Sequence, residues 1–504
     1  MKIIRGYKPN SLLILLLIAA AIVILHALTN HNYGFHRDEL ATVDDAKHLA
    51  WGYVAYPPFT PFIARLALAT FGPSLAGLRL FSSAAIALGM VFGGLIAREL
   101  GGPPRIQVLT ALAIAIAPIA LLSGALFQYV SFDYLWWVLT AYLVVKLLKS
   151  EDPRWWVAIG TTIGFGMMTK YTMGLLVVGI VIGVLATPAR RNLKSPWLWI
   201  GVAVSLLVFL PNLIWQWQHN FISLDFLQSI HERDVRIGRT SHNFIEQFLV
   251  CANIFTVPFW VAGLWYYLFS REGRRYCVLG WMYVVPLVLL LITQGRSYYL
   301  APAYPMLIAG GVIAWQNHLA NISARWARLQ LTVVAASLAI GGLLFGAVML
   351  PIAPVNSKLF NVTSKLHDNF IEEIGWPELV ETIAGIYHRL PADEKSRAGV
   401  LAANYGEAGA INLFGPQHRL PVAISGVNSY WLRGYSNSPP QTLIVVGFSR
   451  ARADAMFESC ELAARVSNRY GIANEESRDH PEIFLCRNLR QPWSEFWQRF
   501  RYYG

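Results

Sequence analysis

A chain of 504 residues that is 55% hydrophobic and only 14% charged, with a mean hydropathy of +0.43, is not an ordinary soluble protein, which carries about a quarter charged residues. Its formal charge of +12 invites a nucleic-acid partner, but the placement of that charge argues against one. Lys and Arg sit in short clusters between apolar runs, as they do where they set membrane topology.

In chain order, apolar runs of the length needed to cross a hydrocarbon layer, about twenty residues, fall near 11–28, 76–97, 106–122, 128–147, 155–169, 171–187, 197–216, 247–269, 277–293, 299–315 and 331–350. Lys2, Arg5 and Lys8 precede the first run and also fit the start of a cleavable signal. No clear small-x-small cleavage site follows Leu25, so the run reads as a span. Residues 58–71 are apolar but short and open on proline, which suits a helix lying on the membrane surface. The run at 155–169 is short and contains several glycines.

With the N-terminus in the cytoplasm, the clusters Arg98/Arg105, Lys146/Lys149/Arg154, Arg190/Arg191/Lys194, Arg271/Arg274/Arg275 and Arg325/Arg328 all land inside. Residues 29–75, 218–246, 294–298 and everything after 350 land outside. The expected fold is an all-α polytopic membrane domain over 1–350, with about eleven transmembrane helices and external loops at 29–75 and 218–246. A small external α/β domain follows over 351–504.

Within that last domain, 398–415 reads as an apolar strand, a glycine-containing turn and a short helix. Residues 442–448 read as a buried strand, with a helical stretch at 450–467. Cys251 and Cys277 lie in apolar runs, as small core residues do. Cys460 and Cys486 lie in the polar tail, on the side where disulfides persist, and are expected to pair. No zinc-type spacing is present.

The chemistry gathers on the outer side. Asp38-Glu39 stand just beyond the first span, followed by Asp44-Asp45 and a Tyr56-Pro57-Pro58-Phe59 turn. An acidic pair is usually a solvated surface, but near the headgroup region polar side chains are more often functional. Cations accompany it: Lys170 with Tyr171 in a turn between spans, His231 and Arg233 in the long external loop, and Arg296 ahead of Tyr298-Tyr299. These oppose the positive-inside trend, so topology does not account for them. Snorkelling explains any one of them better than it explains the set. Together they suit an anionic headgroup such as a phosphate or pyrophosphate. Asp133, in the outer part of the fourth span, needs a partner or an aqueous cavity. Lys170, the loop carrying Asp38 and a plain helix–helix contact are the alternatives. Asp38, Glu39, Asp44 and Asp45 would suffice for a divalent cation, although no spacing demands one.

These features, with the phrases Leu78-Arg79-Leu80-Phe81, Ala97-Arg98-Glu99-Leu100-Gly101-Gly102, Met168-Thr169-Lys170-Tyr171 and Arg296 through Pro305, resemble the polyprenol-phosphate-sugar-dependent glycosyltransferases. More narrowly, the chain resembles the bacterial branch of the dolichyl-phosphate-mannose protein mannosyltransferases, which includes the aminoarabinose transferases acting on lipid A. The resemblance covers about residues 30–310, and it rests on the order of the motifs rather than on any one of them.

It implies a C-type glycosyltransferase fold in a bacterial inner membrane, a polyprenyl-phosphate sugar donor and a glycan, lipid or protein acceptor. The family's essential aspartate corresponds to Asp38 with Glu39 beside it, and its phosphate-contacting cations to Lys170, Arg233 and Arg296. Asp38 would be the base for the acceptor hydroxyl and the transfer would invert the anomeric carbon. Arg37, Tyr56, Asp133, Tyr171, His231, Tyr298 and Tyr299 complete the expected substrate site. His36-Arg37 ahead of the acids and Asp44-Asp45 after them depart from the aminoarabinose enzymes. Two other classes compete: a transporter or flippase for a lipid-linked sugar, which would concentrate charge at the bilayer midplane, and an assembly or sensor protein acting through its tail.

Overall fold

The computed structural model describes residues 11–504; the basic cluster Lys2, Arg5 and Lys8 lies outside the described residues. The chain forms two compact units, each drawn from separate stretches. The first takes the chain up to Asn30, Arg79–Trp215 and His231–Leu350; the second takes His31–Leu78, Gln216–Ile230 and Pro351–Gly504. The first external loop therefore belongs to the same unit as the C-terminal part, which the expected boundary at 350 had separated from it.

The first unit is helical. Six helices among the described residues are long and apolar enough to cross a membrane, or nine if each of three bent pairs counts as one span. The bends have local causes. Pro118 opens the second half of the pair Pro104–Ala115 and Pro118–Ala125, which bends by 67°. A proline cannot donate to the preceding turn, and its ring clashes with a continuing helix. The 90° break between Asn243–Cys251 and Ile254–Phe269 carries Asn253, whose side chain accepts from the Phe255 amide at 3.0 Å and starts the new turn. The runs expected at 155–169 and 299–315 are also helical, as Trp155–Met167 and Tyr304–Ala320. At 13 and 17 residues, both are shorter than the roughly twenty of a straight crossing.

Helix Tyr304–Ala320 packs backbone to backbone on Val257–Phe269. A Cβ on Gly311 would lie 1.7 Å from the Phe259 carbonyl oxygen, and one on Gly263 1.8 Å from that of Leu307. Small residues at such a crossing let van der Waals contact replace the hydrophobic drive that lipid does not supply.

The second unit holds a five-stranded mixed sheet: β1 (Ala398–Ala402), β2 (Ala423–Ile424), β3 (Thr442–Val446), β4 (Phe457–Arg465) and β5 (Glu482–Leu489), in the order β2-β1-β3-β5-β4. β1 runs parallel to β2 and β3, and β5 antiparallel to β3 and β4. Every residue of Thr442-Leu-Ile-Val-Val446 is buried, the continuous apolar run of a strand covered on both faces. Cys460 and Cys486 face each other across the β4–β5 ladder and are disulfide-bonded.

The helical stretch expected at 450–467 is corrected. The helix stops at Met456, and Phe457–Arg465 is β4. Glu461, Leu462, Ala463 and Ala464 favour helix in isolation, but pairing with β5 supplies the backbone partners that local preference does not weigh.

The segment Arg37–Lys47 forms a helix on this scaffold. Arg433 pairs with both Asp44 and Asp45, the Asn412 amide donates to Asp44 at 3.2 Å, and Lys47 donates to the Asn412 carbonyl at 3.0 Å. Removing one member of a buried ion cluster leaves the others uncompensated, at about 3–5 kcal/mol. Arg433→Met is accordingly expected to destabilise the full-length protein by about 3 kcal/mol. Adding Asp44→Asn and Asp45→Asn should recover part of the loss, as read by thermal unfolding in detergent. Unfolding of the single variant at the wild-type temperature would contradict this.

Candidate active site

The carboxylate part of the expected site lies in the second unit. His36 caps the Arg37–Lys47 helix: its Nδ1 accepts from the Asp38 amide at 3.2 Å, and Glu39 accepts from the His36 amide at 2.8 Å. This reciprocal pair satisfies two donors that a helix start would otherwise leave orphaned. Glu39 is fully buried, and its carboxylate serves the cap on the His36 amide rather than facing an acceptor. The Asp38 side chain is 39% exposed, with the His36 ring 3.8 Å from its carboxylate. It is the acid of this helix that a substrate can reach.

Three further expectations meet internal partners instead. Arg37 forms an ion pair with Glu475 and stacks 4.9 Å from the centre of the Tyr405 ring. The Tyr56 hydroxyl donates to Asp45, which places this tyrosine in the framework rather than in a sugar site. Asp44 and Asp45 are occupied by Arg433, and among the described residues no group of three or more His, Cys, Asp and Glu side chains is arranged to hold a metal ion.

Around Arg37 lies a crowd of acids, Glu372, Glu407, Glu475 and Glu476. Burial, with the Glu476 charge nearby, pushes Glu407 up to about 8 and Glu372 up to about 7, both from 4.5. A carboxyl whose folded value is raised keeps a proton that the unfolded chain releases. Its stabilisation is full below about pH 4.5 and is lost as the pH climbs through 7 to 8. We expect weaker amide protection of β1 and β3, after correction for intrinsic exchange, at pH 9 than at pH 5. Stronger protection at pH 9 would refute this assignment.

The cationic part lies in the first unit. Lys170, in the turn between Trp155–Met167 and Met173–Ala186, is buried. Its Nζ lies 4.9, 4.6 and 4.2 Å from the ring centres of Tyr129, Tyr298 and Tyr299. Such a cage lowers the cost of burying an ammonium while leaving it charged. Asp133 attracts Lys170 across the same cluster and accepts from Thr172 at 3.1 Å. The hydrogen bond of Asp133 is thus to Thr172, with Lys170 as its nearby opposite charge.

Arg296 shares this cluster, electrostatically coupled to Lys170, Tyr129, Tyr298 and Tyr299. It donates through Nε to Asp234 at 2.5 Å. Asp234, nearly fully buried, also draws Arg233 to 3.5 Å and Arg239 to 3.8 Å. Lys170, Arg296, Arg233 and Arg239 outnumber Asp133, Asp234 and Glu246, the last accepting from Ser297, and the surplus is positive, as an anionic headgroup requires. Tyr171 turns to Asn212 at 3.3 Å, and His231 is exposed on helix Ile222–Arg236.

Sequence reasoning missed Asp234, Tyr129 and Tyr405. An acid directly beside Arg233 was a signal for the first. Tyr129, at the start of its helix, is indistinguishable in sequence from an interfacial anchor. Tyr405 carried no local signal.

Residues 55–215 match the dolichyl-phosphate-mannose-protein mannosyltransferase family. The lipid A galacturonosyltransferase RgtD of Rhizobium johnstonii is 26% identical over 315 residues, which is 58% of this chain and 63% of that protein. The undecaprenyl phosphate-alpha-4-amino-4-deoxy-L-arabinose arabinosyl transferase 1 of Pseudomonas fluorescens is 30% identical over 155 residues, 28% of this chain and 27% of that protein. The chain thus spans less than two thirds of either curated relative. In fold it is similar to ArnT from Cupriavidus metallidurans bound to undecaprenyl phosphate, with a TM-score of 0.57 at 16% identity, covering 95% of this chain and 98% of that one. The Archaeoglobus fulgidus oligosaccharyltransferase in the apo form follows at a TM-score of 0.50 and 13% identity, covering 83% of this chain and 65% of that one.

Proposed function

We propose that this chain, a relative of the dolichyl-phosphate-mannose-protein mannosyltransferases with the fold of ArnT, is a membrane glycosyltransferase. It moves a sugar from a polyprenyl-phosphate donor to a hydroxyl or phosphate on an acceptor. The observation that carries this reading is the gathering of Lys170 and Arg296 among three tyrosines, with Arg233 and Arg239 beside them on Asp234.

In the proposed reaction the acceptor oxygen bonds to the anomeric carbon as the bond from that carbon to the phosphate oxygen breaks. The electron pair leaves on the polyprenyl phosphate, and the acceptor proton passes to Asp38. Phosphate is a competent leaving group that needs little protonation, so the main demands are cationic stabilisation and a base. Lys170 and Arg296 answer the first demand, with Arg233 supporting them through Asp234. Attack from the face opposite the phosphate inverts the anomeric configuration. Arg37, Tyr56 and Glu39 then serve Asp38 and its helix rather than the sugar.

The names of the two relatives support undecaprenyl phosphate as the carrier and a lipid A-type glycolipid as the acceptor. The distribution of Lys and Arg supports eleven spans in a bacterial inner membrane, with the N-terminus cytoplasmic and residues 351–504 outside. The test is incubation of purified protein in lipid with radiolabelled undecaprenyl-phosphate galacturonic acid or aminoarabinose and lipid A. Label appearing in lipid A supports the reading. With both donors intact and the protein folded, the absence of any labelled product from lipid A or membrane extract would end it.

A further inference from the structure

Just past its first and last long apolar helices, Ser11–Thr29 and Ala324–Met349, the chain is tied to itself. The Asn32 amide donates to the Pro351 carbonyl at 2.7 Å, and the Tyr33 hydroxyl donates to the Ala353 carbonyl. The chain then enters helix Lys358–Leu366, opened by Ser357, whose hydroxyl accepts from the Phe360 amide at 3.1 Å. Phe360 is buried and sets the inner face of this helix, with its ring edge-on to Tyr33 at 5.6 Å. Tyr33 follows Thr29, the end of the first apolar helix, by a stretch of chain that spans at most about 14 Å. Phe360 is thereby kept close to the depth at which that helix ends, which is the depth of lipid headgroups.

The other face is apolar and uncovered. Leu359, Val362 and Leu366, at steps of three and four, form one stripe and are 38%, 53% and 65% exposed. Lys358 and Lys365 are exposed along one edge of that stripe, and the helix carries no acid. Lysines beside an apolar stripe lay their stems along lipid and extend their ammonium groups to phosphates, as in helices that lie in the interface plane.

We propose that helix Lys358–Leu366 docks on the bilayer, with Leu359, Val362 and Leu366 entering the acyl boundary and the two lysines meeting the phosphates of anionic headgroups. The C-terminal part of the chain is thereby seated on the membrane surface. The charge of the edge selects this occupant, since headgroup phosphates supply the counter-charge that an apolar protein face lacks. Tyr33, packed under this helix, precedes His36, the cap of the helix that carries Asp38. Docking therefore restrains the height of that acid against the headgroups. The inference stands on this placement and does not require that the chain transfer a sugar.

The test uses the full-length protein with Cys277→Ser, buried Cys251 and the disulfide left in place, in vesicles of phosphatidylethanolamine and phosphatidylglycerol. A nitroxide is attached in turn at Leu359→Cys, Val362→Cys, Leu366→Cys and, away from the stripe, Asn361→Cys. Its collisions with dissolved oxygen and with a water-soluble nickel chelate are compared. Labels at 359, 362 and 366 are expected about 5–10 Å into the headgroup and acyl boundary, open to oxygen and shielded from nickel. The label at 361 meets nickel. Val362→Glu with Leu366→Glu brings the label at 359 out to nickel, and Lys358→Gln with Lys365→Gln makes the label at 362 shallower. Three separate exposed positions keep the result independent of any one label's effect on folding.

Nickel reaching all four positions overturns the proposal. So does shielding of 359, 362 and 366 from both reagents, which marks a protein cover such as a second copy of the chain. An unchanged depth at 362 after the two lysine exchanges overturns the assignment of the headgroup charge.

Discussion

Asp38→Asn is expected to lower the transfer rate by about 10³-fold, the middle of the range for loss of a general base, with insertion and folding intact. Asparagine keeps the size of the side chain and cannot accept the proton. The loss should appear in kcat, because donor binding is assigned to Lys170 and Arg296. The helix itself should survive. Its cap is made by His36 and Glu39, and its far end is held by Arg433 on Asp44 and Asp45. The contribution of Asp38 to the helix dipole is only about 0.3–1 kcal/mol. The measurement is single-turnover transfer with saturating donor, beside thermal unfolding of the same preparation. A well-folded variant that transfers at the wild-type rate would remove Asp38 from the mechanism.

The second large effect is expected at Lys170. Lys170→Met preserves bulk within the cage of Tyr129, Tyr298 and Tyr299 and removes the charge. A charge-assisted contact is worth about 1.5–3 kcal/mol, so the apparent donor affinity should weaken by about 10- to 100-fold. Acceptor affinity should not change. The substitution also strips Asp133 of its opposite charge within a buried site, which costs stability on its own. The double variant Lys170→Met/Asp133→Asn is the control: it should regain stability without regaining donor affinity. Recovery of donor binding in the double variant would show that the single change acted through misfolding. Arg296 is the less clean probe, since its removal leaves Asp234 with only the longer contacts to Arg233 and Arg239.

Much of this molecule is legible from residue order because membranes impose a simple rule. Each apolar run must satisfy its own backbone, so it becomes helix, and all eleven expected runs are helical in the structure. What the runs do at their breaks is less legible. Pro118 announces its bend, whereas the turn at Asn253 depends on a side chain finding an amide. The same divide appears at Phe457–Arg465. Its composition suits a helix, and only the presence of β5 alongside makes it a strand.

The candidate site divides in the same way. Lys170 and Arg296 stand out in sequence because cations in loops expected to be external contradict the topology trend, and the structure gathers them with Tyr298 and Tyr299. Asp234 and Tyr405 were passed over because their contacts are with residues far along the chain, Arg296 and Arg37, where no periodicity or spacing can register them. Arg37 and Tyr56 looked like substrate ligands because a polar residue near an acid is ambiguous until its neighbours are known.

By itself, then, the sequence determined where the chain is apolar, that it is built mainly of helices, and which charges are out of place. These are properties of composition and of local backbone satisfaction. The tertiary structure alone decided that residues 31–78 share a unit with the C-terminal sheet, and that Arg433 and Tyr405 hold the helix of Asp38. It also decided that three arginines share one buried aspartate. Those outcomes follow from side chains far apart in the chain meeting in a low-dielectric interior, where an unpaired charge costs more than local preference can repay.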